Sequence, residues 1–182
     1  MESGDEVAID HGCHFDGSAR FYQRAHQLVD DLLRPRIAGR PVSSARFHVH
    51  DADAYSATPH ELAIEHAPAP GPRPTWFFLT PPHYHGDRRC RSVGCAGAGK
   101  GDEGYWMMQN GHTYNKHVEV EDDGGLYLYV RNYVYVDTTS PAVTRPDPEW
   151  VMMEYGIARG VCSRQELVLC EMYRAKGRKA RP

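Results

Sequence analysis

Two clusters invite a reading as metal or acid–base chemistry. HVHDAD, residues 48 to 53, has the H-x-H spacing of a metal-dependent hydrolase, and HYHGD, 83 to 87, supplies two more imidazoles and a carboxylate. Such an enzyme needs those imidazoles at the ends of parallel strands beside further carboxylates. No strand–helix alternation flanks either cluster, so surface histidines are expected. Cys90 and Cys95 lie close together, and Cys13 stands between His11 and His14, which raises zinc, but no second tight pair completes a four-ligand set. The five cysteines are odd in number and irregularly spaced, which predicts reduced thiols rather than a disulfide framework. There is no G-x-S-x-G, and Cys162 and Cys170 lie in or beside strand-like runs, so nucleophilic catalysis has no support. No enzyme, metal or cofactor is expected.

A different chemistry is written in the amides and the cations. GDEGYWMMQNGHTYNK, 101 to 116, reads in three ways: a core strand with inward methionines, a site built on His112, or a recognition edge whose amides reach a nucleic acid. The net charge of −3 hides blocks of opposite sign. Acids gather at Glu2, Asp5, Glu6 and Asp10 and again between Glu119 and Asp123. Cations gather in RRCR, at Arg88, Arg89 and Arg91, and in YRAKGRKARP, with Arg174, Lys176, Arg178, Lys179 and Arg181. A basic tail is usually a solvated end, but nuclear import and phosphate contact require the same residues.

The scaffold that must position these groups fits a single domain, since 182 residues bury a core without staples. No apolar run approaches the roughly 18 residues of a membrane helix. MESGDEVAID lacks the positive flank of a signal peptide, which points to a cytosolic or nuclear address. SARFYQRAHQLVDDLL, 18 to 33, sets Phe21, Ala25, Leu28, Val29, Leu32 and Leu33 on one helical stripe, with Ser18 as N-cap and Pro35 as the stop. Thr58-Pro59-His60-Glu61 predicts a capping box and a second, short helix. APAPGPRP, 67 to 74, reads as a surface loop.

Period two then takes over. WFFLT (76–80), LYLYVRNYVYV (126–136), EWVMMEYGI (149–157) and ELVLCEMYR (166–174) read as strands, and the glycine-rich stretch from Arg88 to Gly104 as a long mobile loop. In 126–136 the aliphatic residues share one face and Tyr127, Tyr129, Arg131, Tyr133 and Tyr135 the other. Cross-strand packing accounts for such tyrosines. A base-stacking face would use them too, but no RNA-binding signature accompanies them. Helices first and strands afterwards predict α+β with an antiparallel sheet.

In this order, TWFFLTPPHYHGDRRCR, GYWMMQNGHTYNK, LYLYVRNYVYV, EWVMMEYGI and ELVLCEMYR resemble the NAC domain of plant transcription factors. That family carries W-Y-F-F-S/T-P, a basic loop, G-Y-W-K-A-T-G-x-D-K, W-I-M-H-E-Y and W-V-L-C-R-I-Y. The resemblance covers about 18 to 175, anchored by Trp76, Gly104-Tyr105-Trp106, Trp150 and Cys170. An acidic, flexible segment (1–17) precedes it and a basic tail (176–182) follows. It implies a twisted antiparallel sheet packed between a few helices. It further implies a nuclear dimer, homodimeric or with related NAC proteins, that places an edge strand in the DNA major groove without membrane or cofactor. Phosphate contacts then fall to Arg88, Arg89, Arg91, Lys116, Arg145, Arg174, Lys176 and Arg178, base contacts to Met107, Gln109, Asn110 and His112, and dimer contacts to Arg20 and Phe15.

Departures from the family pattern bear on affinity. Met107, Met108 and Gln109 stand where the family has K-A-T, and Asp147 and Glu149 stand near the position of a family lysine. The family's P-P-G before the first helix is missing. Losing a cation from a groove contact loses counterion release and a donor together. Gln109 and Asn110 suit adenine, and methionine suits the thymine methyl. The alternative is a NAC-fold protein-interaction module whose DNA binding is weakened or lost.

Overall fold

The computed structural model describes residues 19–42, 47–85, 88–93, 104–109, 118–119, 126–139, 149–159 and 167–175. Its strands are β1 (Val49–His50), β2 (Thr75–Thr80), β3 (Tyr84–His85), β4 (Arg88–Arg89), β5 (Gly104–Met108), β6 (Val118–Glu119), β7 (Leu126–Asp137), β8 (Trp150–Arg159) and β9 (Val168–Arg174). Seven of them form one sheet in the order β1-β2-β9-β8-β7-β5, with β6 also on β7, while β3 and β4 pair separately. Every pairing is antiparallel except β1 with β2, a parallel edge that alternation alone does not reveal. The expected α+β class is what folds.

The first helix departs from its predicted end. It runs as α1 (Ala19–Leu28), passes through a π-helical turn (Val29–Leu33) and continues past Pro35 as α2 (Arg34–Ile37). Proline ordinarily stops a helix because its ring meets the carbonyl four residues back. Here the wider turn shifts the hydrogen-bond register just before the ring, and the helix carries on. It ends in a Schellman motif: Gly39, at φ +67°, donates to Arg36, and Arg40 donates to Pro35 at 2.8 Å. Ser18 lies outside the described residues.

The second helix, α3 (Pro59–Glu65), opens as predicted. Thr58 Oγ1 accepts from the Glu61 amide at 3.3 Å, and the Glu61 carboxylate accepts from the Thr58 amide at 2.9 Å.

Both faces of the sheet are buried, so the long strands lose a clean polar side. On one face Leu28, Val29, Leu32 and Leu33 meet Phe77, Leu79, Val130, Val151, Tyr155 and Leu169. On the other, Ala54, Tyr55 and Leu62 cover Trp76, Phe78, Trp106, Tyr129, Tyr133, Trp150 and Met152. The tyrosine face of β7 is therefore core: Tyr129 and Tyr133 are 4% and 0% exposed, and Arg131 lies over the Tyr129 ring at 4.5 Å.

Two carboxylates are buried between the layers. Glu171 accepts two bonds from the Arg24 guanidinium, at 2.6 and 3.0 Å, and one from the Tyr155 hydroxyl at 2.7 Å. Glu154, on the opposite face, accepts from the Tyr55 hydroxyl at 2.5 Å with Arg131 3.8 Å away. Paired in this way, the carboxylates fasten α1 and the 52–58 segment to the sheet.

Candidate nucleic-acid interface

β5 sits at the edge of the sheet, and its alternation splits its side chains by role. Trp106 is 1% exposed and packs edge-on against Tyr135 with ring centres 5.4 Å apart. Tyr105 and Met107 point the other way and stand 39% and 45% exposed. Trp106 anchors the strand while its neighbours meet solvent. Gly104 opens β5 because a side chain there would run into the Tyr135 hydroxyl and the Val136 carbonyl.

The arginine segment is not the loose loop its composition predicts. Arg88 and Arg89 form β4, opposite His85 and Tyr84 of β3. Arg91 to Val93 then lies antiparallel along the outer edge of β5: Trp106 donates its amide to the Arg91 carbonyl at 3.0 Å, and Val93 to the Gly104 carbonyl at 3.1 Å. Arg91 therefore stands opposite Trp106, its guanidinium 5.3 Å over the Tyr133 ring. The backbone's need to satisfy edge donors carries Arg91 to the edge strand.

This hairpin is tied to the body. The Cys90 amide donates to the His83 carbonyl at 2.8 Å, His83 Nε2 meets Asp53 Oδ2 at 2.6 Å, and Asp53 Oδ1 accepts from the Tyr55 amide. The two His/Asp clusters thus meet through one pair that spacing could not forecast, and among the described residues no group of three metal-ligating side chains forms. His50 is likewise engaged, Nε2 2.9 Å from the Ala67 carbonyl and its ring 4.6 Å from that of His66. Burial, and then the charge of His50, lower the His66 pKa. Cys90 also corrects the reduced-thiol expectation: it is disulfide-bonded.

Past β5 the ladder continues for one residue, with the Gln109 amide donating to the Asn132 carbonyl at 3.1 Å. The Gln109 side-chain carbonyl accepts from Asn132 Nδ2 at 3.4 Å, so two-point reading of a base by this amide requires that long contact to open. Three buried polar atoms around β5 find no hydrogen-bond partner among the described residues: Trp106 Nε1, Arg91 Nε and Asn132 Oδ1. Each costs on the order of 1–3 kcal/mol while unmet.

Arg174 closes β9 directly opposite Trp150, its guanidinium 5.1 Å over that ring, and pairs with Glu149 at 3.3 Å. Arg20 lies in α1. Phe15, Asn110, His112, Lys116, Arg145, Lys176 and Arg178 lie outside the described residues.

A family model described as No apical meristem (NAM) protein matches residues 17–157, well over half of the chain. The chain belongs to the NAM family. This is the NAC domain family of plant transcription factors, whose members are generally not enzymes. Among curated proteins none matches the chain. The NAM match takes in the arginine hairpin, β5 and β7 and ends within β8, so β9 and Arg174 lie beyond it. Among the described residues no helix is long and apolar enough to cross a membrane.

Proposed function

We propose that this NAM-family chain is a sequence-specific regulator of transcription that lays β5 and the residues after it into the major groove of double-stranded DNA. The reading is supported by one observation: Arg91 to Val93 runs antiparallel along β5, so a cation-bearing strip borders the exposed edge strand, with Arg91 on the Trp106 face and the solvent-facing Tyr105 and Met107 on the other. A major groove about 12 Å wide admits such a ribbon. Arg88, Arg89, Arg91, Lys116, Arg145, Lys176 and Arg178 hold phosphates. Arg174 does so from about 14 Å away, three spacings of roughly 4.8 Å across the sheet. Met107, Gln109, Asn110 and His112 face the bases. The protein acts in the nucleus as a homodimer or with related NAC proteins, through Arg20 and Phe15.

In a DNA shift assay Arg89→Ala with Arg91→Ala weakens binding to every duplex and flattens the salt dependence by up to about 2 in log–log slope. Gln109→Ala with Asn110→Ala instead alters sequence preference. Unchanged binding in both double variants rejects the assignment.

A second reading, a NAC-fold protein-interaction module with weakened DNA binding, draws on two observations. Met107 fills the exposed position where the family carries lysine, and Glu149 already engages Arg174. A salt titration on a family-type core site beside random duplex separates the readings, because an interaction module gives no specific shift.

A further inference from the structure

A groove of about 320 Å3 opens between α3 and the strand ends where β2 and β8 begin and β9 finishes. Its floor is Trp76 and Trp150, in edge-to-face contact at 5.6 Å. The Trp76 indole N–H is spent internally on the His66 carbonyl at 2.9 Å, so the floor offers apolar surface. One wall is Ile64, which α3 leaves 73% exposed while Leu62 fills the core. An aliphatic side chain held in water beside an apolar slot is the kind of surface that marks a contact site.

The rim carries charge of one dominant sign. Arg73 lines the groove just ahead of β2, its guanidinium reaching round the sheet end to stack 3.7 Å over the Tyr173 ring on the α1 side, and makes no ion pair among the described residues. Arg174 stacks over Trp150. Stacking fixes a guanidinium plane and leaves its N–H edge available without neutralising it. His60 also lines the groove, and among the described residues no carboxylate does. Glu149 meets Arg174 from outside, but that pair is 55% and 68% exposed and holds weakly. A slot of this size takes one or two bulky side chains, at the low end of ligand pockets.

We infer that this groove docks an acidic peptide segment of a partner protein, with a bulky apolar side chain on the tryptophan floor and neighbouring carboxylates on Arg73 and Arg174. The inference shares Arg174 with the DNA reading, but Ile64 and Arg73, the residues altered in its test, take no part in that interface. It is tested on the full chain with a fluorescein-labelled ten-residue peptide in which phenylalanine and leucine are flanked by aspartates.

Saturable anisotropy is expected, together with quenching of tryptophan fluorescence. Ile64→Asp and Arg73→Glu each weaken binding by about tenfold or more. A peptide with lysine in place of every aspartate fails to bind. Circular dichroism checks the fold, and if either variant is misfolded, Ile64→Ser and Arg73→Gln replace them with an expected loss of about threefold or more. No saturation by about 1 mM overturns the inference. So does equal binding of the two peptides, or folded variants within about twofold of the unaltered chain. DNA shifts by the same variants stay unchanged, so failure here leaves the DNA reading intact.

Discussion

Arg24 and Glu171 carry much of the attachment of α1 to the sheet. Burial alone would lower the Arg24 pKa, but the hydrogen bond and charge of Glu171 raise it above its usual value. Burial, and then the Glu171 charge, push the Tyr155 hydroxyl well above its usual range, so it remains the donor. Removing one member strands a carboxylate that is 1% exposed. Arg24→Ala is therefore expected to cost about 2 kcal/mol in urea unfolding, less than the 3–5 typical of fully buried pairs, since Arg24 is 49% exposed. A loss below about 0.5 kcal/mol would show that the hydroxyl of Tyr155 alone satisfies Glu171.

At the scale of the element, β5 depends on the space that Gly104 leaves for Tyr135. Gly104→Ala forces ring or strand to shift, with an expected cost of about 1–3 kcal/mol and faster amide exchange at Trp106. Exchange at the native rate in the variant would mean that the edge strand yields without loosening. Much of the scaffold was legible because local chemistry acts alone: the Thr58–Glu61 box and the alternation of β7 need no distant partner. What stayed hidden needs one. Pro35 reads as a stop without the π turn before it, and RRCR reads as a loop without the pairing of Arg88 and Arg89 to β3 and of Arg91 to β5. The candidate site was legible in its residue types, but not in its internal ties: Gln109 to Asn132, Arg174 to Glu149, and Asp53 to His83.

Across the whole molecule, two cores share one sheet. All three tryptophans lie in the core covered by α3, whereas Leu33 lies in the core covered by α1. If the layers unfold together, Leu33→Ala lowers the midpoint seen by tryptophan fluorescence as much as that seen by circular dichroism, for a loss of about 2–5 kcal/mol. Divergent midpoints would split the domain into two units. The pairing of Arg91 to Val93 along β5 has one more outcome. An open β-edge is a template for copies of the same chain to add to one another, but here the Trp106 donor and the Gly104 acceptor are already taken. A second copy seeking to extend the sheet must first peel away the arginine-bearing strip, so self-association is steered to some other surface, and the rim stays open to solvent.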